Sequence, residues 1–374
     1  MGFFDKMTFQ GKLPSLEIDK CNFQETETPY ELRKLEDRLF PDVNEGFEGI
    51  RSILPNLLDE CQVLMLGCGT GRDAFMAGAL VGARGHVLAL DASHEAISSA
   101  EARRVAQMVA LGANPDALEF GVCSGDTLPF DDASFDVCIV NPLYNRLDSH
   151  EQESLVCEAL RVLKDGGELA LSTVFSNRRH SELAKLNLFL KNNLLAHAPY
   201  TEDFRRMLVR LGINNFRFTE KREVTFPEDV REKDPALEDT FEGIHFTYRA
   251  LRIFKLRDIE DLCENYGQTL EYSGTAPQCP QYFDMDDYHR FFTGRIDHVC
   301  GNTFLIATQT RFAPYFKKAG NQDNHFGIYG YCEYCGSGSE GRAVKPAIDA
   351  KQSSDHCKTC KYTDNCEHDQ PCGI

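Results

Sequence analysis

Basic residues are in short supply. Forty Lys and Arg stand against 58 Asp and Glu, a formal net charge of −18 over 374 residues. Such a surface repels polyanions, which excludes nucleic acid and anionic membrane as natural partners; its plain consequence is solubility. No run of ~18 apolar residues occurs, so no membrane-spanning helix is expected. Met1-Gly2-Phe3-Phe4-Asp5-Lys6 lacks the charged start and apolar core of a signal peptide. Lys6 stands where a myristoylation pattern wants Ser or Thr. The expected location is therefore cytoplasmic. In that compartment 15 cysteines argue for thiol or metal chemistry rather than disulfides. The length, with 42% hydrophobic residues, suffices for a large core and more than one domain.

What is present centres on Val63-Leu64-Met65-Leu66-Gly67-Cys68-Gly69-Thr70-Gly71-Arg72-Asp73. An apolar run ends in three glycines and passes at once into a helical pattern. Glycine tolerates positive φ and lets a ligand approach the backbone. A helix start adds unpaired N–H groups and partial positive charge, a corner suited to a carboxylate or phosphate. The spacing is G-x-G-x-G, an imperfect dinucleotide fingerprint. Asp91 closes the next apolar run, His86-Val87-Leu88-Ala89-Leu90. It lies about 20 residues on, where nucleotide-binding α/β domains place a carboxylate for ribose hydroxyls. The pair points to a ribose-bearing cofactor and leaves NAD and S-adenosylmethionine both open.

Residues 1–60 are polar, with scattered apolar positions. They predict a mobile start, a helix from Pro29 to Phe40 and another from Val43 to Leu54 that Pro55 stops. Strands and helices then alternate. Helix 73–81 precedes strand 86–90. A long helix, His94 to Leu111, is ended by Gly112 and Pro115. Strands 118–122 and 135–140 follow. A helix from His150 to Leu163 stops at Asp165-Gly166-Gly167, before strand 168–173. The alternation implies an α/β, mainly parallel sheet with helices on both faces. Ligands then bind beyond the carboxyl ends of the strands. Lys221 to Gly243 is dense in charge and reads as a solvated loop.

Leu66-Gly67-Cys68-Gly69-Thr70-Gly71, Asp91, Gly125-Asp126-Thr127-Leu128-Pro129-Phe130, Ser134-Phe135-Asp136-Val137 and Arg161-Val162-Leu163-Lys164-Asp165-Gly166-Gly167 resemble, in order and spacing, the motifs of class I S-adenosylmethionine methyltransferases. The resemblance implies the Rossmann-like fold of that class. It also implies cofactor contacts from Gly67, Cys68, Gly69, Thr70 and Gly71 to the methionine part. Asp91, with Ala92 and Ser93, would serve the ribose; Asp126 and Thr127 would lie by the adenine, and Asn141 would complete the set. Downstream, Gly71-Arg72-Asp73, Glu168 to Arg179, Phe246 to Leu256, Cys263-Glu264-Asn265-Tyr266-Gly267-Gln268, Tyr272-Ser273-Gly274-Thr275, Cys300-Gly301-Asn302-Thr303 and Thr310-Arg311-Phe312 are similar to arsenite methyltransferases. Four segments are expected: an N-terminal extension (1–60), a methyltransferase domain (61–257), a smaller α+β domain peculiar to the family (258–320) and a Cys-rich tail (321–374).

In that family cysteine thiolates hold trivalent arsenic with its lone pair free, and the lone pair attacks the sulfonium methyl in line. Soft thiolates suit a soft centre, and alignment removes much of the entropic barrier. The family's ligand cysteines are not matched here. One follows the Asn that ends the fourth strand, where Asn141 is followed by Pro142. A second belongs before a helix with Tyr at its start, where Asn192 to Tyr200 holds none, and the third finds no counterpart in Phe47 to Ile50. The pocket candidates are therefore Asn141, Pro142, Tyr144 and Leu194. His150, His180 and His197 flank the expected mouth. Cys68, Cys138, Cys263 and Cys300 read as structural.

From Cys332 the composition changes. Cys332-Glu333-Tyr334-Cys335 and Cys357-Lys358-Thr359-Cys360 are two C-x-x-C pairs about 20 residues apart, the pattern of a tetrahedral zinc site. Cys366 and Cys372 are further candidates. The tail has few large apolar residues, so metal would supply its folding energy. An iron–sulfur cluster or thiol capture of arsenic are the other uses of such a set. The favoured reading is a methyltransferase acting on a small soft nucleophile, trivalent arsenic first. The alternatives are another small acceptor (a thiol, selenium species or amine) and a metalloid-binding or sensing protein without turnover. The partner is a small molecule; the oligomeric state is not legible.

Overall fold

A computed structural model describes residues 2–6, 30–45, 54–140, 142–181, 185–186, 190–191, 194–224 and 243–329. The chain divides into two compact units. One comprises Met1–Phe204 and Glu220–Leu251, the other Arg205–Thr219 and Arg252–Ile374. The Cys-rich tail, with Cys332, Cys335, Cys357, Cys360, Cys366 and Cys372, lies outside the described residues. No helix among the described residues is long and apolar enough to cross a membrane.

In chain order the described elements of the first unit begin with helices α1 (Phe3–Lys6), α2 (Tyr30–Glu36) and α3 (Pro41–Glu45). Strand β1 (Gln62–Leu66), α4 (Arg72–Leu80), β2 (His86–Asp91), α5 (His94–Leu111) and β3 (Leu118–Val122) follow. Next come β4 (Phe135–Val140), α6 (Ser149–Val162), β5 (Leu163–Ser176), α7 (Thr201–Arg210), β6 (Arg217–Val224) and β7 (Phe246–Phe254). The last three run across the boundary between the units. The sheet order is β3-β2-β1-β4-β5-β7-β6. Strands β1 to β5 pair in parallel, with Leu66 opposite Leu90 on one side and Val140 on the other.

The sequence explains these elements locally. Strand β1 is apolar at every turn because both its faces are covered, and its last four residues are buried. Ser93 caps α5 by accepting from the Ala96 amide, and Gly112 ends the helix in the left-handed conformation. Asp148 and Glu151 form a reciprocal capping box on α6. The core of this unit joins the inner faces of α4 and α5 to β1, β2 and β3 through Phe75, Ala77, Met108, Val63, Val87 and Leu118.

Departures from expectation have physical causes. Within the start expected to be mobile, Phe3–Lys6 form α1, with Phe3 and Phe4 buried, and residues 7–29 lie outside the described set. The helix expected from Pro29 is found at Tyr30–Glu36, and the next starts at Pro41, not Val43; proline suits a first helical turn, where its missing N–H costs nothing. Residues 46–53 of that expected helix lie outside the described set. Strand β5 runs well beyond 168–173 at both ends. Its early residues are displaced by an irregularity between Phe135 and Val137 of β4. Lys221–Val224 is strand rather than loop.

The second unit holds a sheet of order β11-β8-β12, built from β8 (Thr269–Tyr272), β11 (Ile296–His298) and β12 (Phe316–Ala319), and a hairpin of β9 (Tyr282–Asp284) with β10 (Arg290–Phe292). Helix α8 (Gly301–Gln309) lies between β11 and β12 in the chain. An aromatic cluster fills it: Phe283 sits 5.0 Å from Phe312 and 5.8 Å from Tyr272, centroid to centroid. Residues 205–219 belong to this unit because Arg217, buried there, ion-pairs with Asp286 at 3.1 Å.

Replacing Phe75 by Ala removes a fully buried ring packed edge-on against Phe120 at 5.4 Å. The expected cost is about 3–5 kcal/mol, read as a lower urea midpoint for the first unit. An unchanged midpoint would overturn its place in the core.

Candidate active site

The order of the sheet reverses between β1 and β4, so the loops at their carboxyl ends diverge and leave a crevice. Three glycines shape the first loop. Gly67, Gly69 and Gly71 have φ of 76°, 54° and 93°, in the left-handed region. A Cβ at Gly71 would come within 2.8 Å of the Phe120 ring, whereas one at Gly69 would meet nothing within 4 Å. Gly71 is thus required for packing. Gly69 is required by its conformation and leaves open space beside the loop. Helix α4 begins at Gly71 with no side-chain cap, so no side chain competes with a ligand for its first amides.

Asp91 ties the glycine loop to the next strand. Its Oδ2 accepts from the Gly69 amide and its Oδ1 from the Ser93 amide, each at 2.9 Å. The amides of Gly67 and Cys68 donate to the Leu90 carbonyl at 2.8 and 3.0 Å. Asp91 is 3% exposed. Burial raises its carboxyl above the usual range, while the Ser93 and Gly69 amides and the charge of Arg146 pull the other way. Burial and the Asp91 charge both push the Cys68 thiol upward, so it is not a thiolate.

At the end of β3, Gly125 and Asp126 are held by the first helix. The Phe3 amide donates to Asp126 Oδ1 at 2.6 Å, and the Phe4 amide to the Gly125 carbonyl at 3.0 Å. Lys6 pairs with Glu151. A Cβ at Gly2 would fall 2.2 Å from the Gly125 carbonyl carbon, so the two backbones are in direct contact. Asp126 and Thr127 are exposed.

Beyond β4 the chain makes a tight turn, Pro142–Arg146. Asn145, buried, continues the pairing with β5 in place of backbone. Its Nδ2 donates to the Val174 carbonyl at 2.8 Å, its Oδ1 accepts from the Val174 amide at 3.1 Å, and it also bonds the Thr173 hydroxyl. Tyr144 is fully buried, edge-on to Phe204 at 6.5 Å. Its hydroxyl has no partner among the described residues, and burial drives its pKa far up. Gln152 bonds the His197 carbonyl at 2.9 Å, and the His180 ring lies edge-on to Phe246 at 5.3 Å. Burial lowers the pKa of both imidazoles, and His197 further disfavours charge on His180. Leu194 is buried with φ of 61°.

The structure therefore gathers Gly67, Cys68, Gly69, Thr70, Gly71, Asp91, Ala92 and Ser93 at one edge, with Asp126 and Thr127 on the adjoining loop. Asn141 lies outside the described residues, and Pro142 stands in the turn that holds Tyr144. His150 is exposed on the first turn of α6, unlike His180 and His197. Arg146, Asn145 and the pair Phe3–Phe4 were not anticipated. An Asn and an Arg directly after a buried strand were the available signal; nothing short of the fold joins Phe3 to Asp126. No group of three or more His, Cys, Asp or Glu side chains among the described residues is placed to hold a metal.

Residues 57–212 match the family model described as a methyltransferase domain. The arsenite methyltransferase of Aquipseudomonas alcaligenes is 35% identical over 311 residues, covering 83% of this chain and 87% of the relative. The mouse arsenite methyltransferase is 26% identical, over 80% of this chain and 78% of its own. Among solved structures, an arsenic(III) S-adenosylmethionine methyltransferase from Chlamydomonas reinhardtii superposes with a TM-score of 0.74 at 31% identity, covering 80% of this chain and 99% of that one. With a glycine loop, a buried strand-end acid and a mainly parallel sheet in the corresponding order, this chain belongs to the arsenite methyltransferase family of S-adenosylmethionine-dependent methyltransferases.

Proposed function

We propose that the chain transfers a methyl group from S-adenosylmethionine to trivalent arsenic, in the cytoplasm. The observation that carries this is likeness to an arsenite methyltransferase over 83% of the chain, well beyond the cofactor fold alone. The first unit would hold the cofactor. Gly67, Cys68, Gly69, Thr70 and Gly71 would lie along its methionine part, Asp91 with Ala92 and Ser93 by the ribose, Asp126 and Thr127 by the adenine, and Asn141 at the edge. The open space beside Gly69 and Gly125, where a Cβ would meet nothing within 4 Å, supports that fit. So does Asp91: each oxygen accepts one amide and keeps lone-pair capacity for a ribose hydroxyl.

S-adenosylmethionine supplies an electrophilic methyl on a sulfonium sulfur. The chain supplies position and exclusion of water. Arsenic's lone pair carries no proton, so no base is required. Tyr144 is held un-ionised by burial, and burial disfavours charge on His180 and His197.

One observation favours a second reading, another small soft acceptor such as a thiol, selenium species or amine. Pro142 stands where the resemblance implies a cysteine, and Asn192 to Tyr200 contains none. In the first unit, Cys138 is buried mid-strand with its thiol pushed far up, and Cys157 is exposed on α6. Neither takes the place of a missing ligand. We further propose that Cys332, Cys335, Cys357 and Cys360, with Cys366 and Cys372 as reserve thiols, bind zinc in the tail.

Incubation of the protein with S-adenosylmethionine, arsenite and a thiol reductant is expected to give methylated arsenic and S-adenosylhomocysteine together. Cofactor binding by calorimetry without methylated arsenic would overturn arsenite as acceptor and favour the second reading or a binding protein. Asp91→Ala is expected to weaken cofactor binding by about 10–100-fold, the worth of hydrogen bonds to a charged group. Unchanged affinity would remove Asp91 from the site. Elemental analysis of anaerobically purified protein is expected to show about one zinc per chain, and a chain without zinc would overturn the tail assignment.

A further inference from the structure

The second unit contains a thiol pair that the methyl-transfer reading does not use. Backbone hydrogen bonds bring its two segments together. The Gly301 amide donates to the Glu264 carbonyl at 2.9 Å, and the Val299 amide to the Gln268 carbonyl at 3.1 Å. Asn302 locks the same junction, accepting from the Glu260 amide at 2.9 Å and donating to its carbonyl at 2.8 Å. Cys263 and Cys300 are thereby packed side by side with Tyr329, both buried and both thiols. The Cys263 S–H donates to Cys300 Sγ.

Several groups around Cys300 are placed to donate toward its sulfur, against the burial that opposes charge there. Cys300 is the N-cap of α8 and accepts from the Thr303 amide at 3.5 Å. Cysteine is not a preferred cap, so capping alone does not explain the residue. The Thr303 hydroxyl lies 3.2 Å from the sulfur. Arg217 Nη2 donates to Thr303 Oγ1 at 3.1 Å, which leaves that hydroxyl's own proton for the sulfur. Arg217 also hydrogen-bonds Cys300. The guanidinium is 1% exposed and is fixed by Asn215 at 2.8 Å and Asp286 at 3.1 Å, with His289 Nδ1 on the same carboxylate at 2.7 Å. A buried thiol with a neighbouring S–H, a hydroxyl, a helix N-terminus and a guanidinium aimed at it is built to carry negative charge. Accordingly the Cys263 hydrogen bond, then Arg217, hold the Cys300 thiol well below its ordinary range, and the Cys263 thiol is raised.

We propose that Cys300 and Cys263 form an oxidation site that takes a hydroperoxide and closes to a disulfide, with Cys300 the attacking sulfur and Cys263 the resolving one. The Cys300 thiolate attacks one peroxide oxygen; the O–O bond breaks, and the leaving alkoxide or hydroxide takes a proton from solvent. Cys300 is then a sulfenic acid. The Cys263 sulfur attacks it, the S–S bond forms, the S–O bond breaks, and the oxygen leaves as water with the proton of Cys263. Two thiols lose two electrons in all, and one hydroperoxide becomes an alcohol and water. Arg217 and the Thr303 hydroxyl are the groups placed to polarise the peroxide beside the thiolate.

The test uses the full, reduced wild-type chain. Limiting hydrogen peroxide is added, thiols are blocked by alkylation, and peptides are mapped by mass spectrometry. A Cys263–Cys300 disulfide is expected at peroxide levels that leave the buried Cys138 reduced. In Cys263→Ser, a 1,3-dicarbonyl probe is expected to trap the sulfenic acid on Cys300. In Arg217→Lys, whose fold is checked by circular dichroism, trapping is expected to slow about tenfold. The proposal is overturned if both thiols of the wild type stay reduced while other cysteines of the chain oxidise. Oxidation of Cys300 only to a bridge with some other cysteine would also overturn it.

Discussion

The two hydrogen bonds to the Asp91 carboxylate are the constraint on which the cofactor corner depends. They bind the amide of a left-handed glycine on one strand's loop to the turn that starts the next helix. Without them the glycine loop would be held to the next strand only through the Leu90 carbonyl. Asp91 is also the acid proposed for the ribose. Its burial raises the cost of carrying charge, and the amides and Arg146 offset that cost.

A second buried charge organises the other unit in the same way. Arg217 donates to Asn215, Asp286, Thr303 and Cys300, which joins a strand, the turn before β10 and the start of α8. Such a cation is tolerable only when its donors are matched by acceptors. Asp286, held well below the usual carboxylate range, is the matching anion. Here the thiol of Cys300 completes the set, which is why its chemistry differs from that of Cys138, buried among apolar side chains of the sheet.

The turn after β4 is the region proposed for the acceptor side. Around the turn after β4 the chain presents a buried phenol, two half-buried imidazoles and an Asn that mimics backbone. Burial disfavours charge on the phenol and on both imidazoles, while Arg146 at the end of the same turn brings its charge to bear on Asp91.

The strands and helices of residues 62–163 were legible because each is short, periodic and punctuated: β4, α5 and β3 stand where apolar runs and Gly112 put them. So was the glycine corner, since positive φ and a spaced acid leave a local mark. By itself the sequence determined the α/β class, the strand-end glycines, Asp91 and the acidic character of the chain. Tertiary structure alone decided the rest. It set Phe3 and Phe4 on Gly125 and Asp126, used Asn145 as a splice between strands, and placed Arg217 behind Cys300. Each of these pairs is joined by packing across long stretches of chain. Local propensity carries no information about such contacts, because the desolvation and charge that define them exist only once the chain has folded.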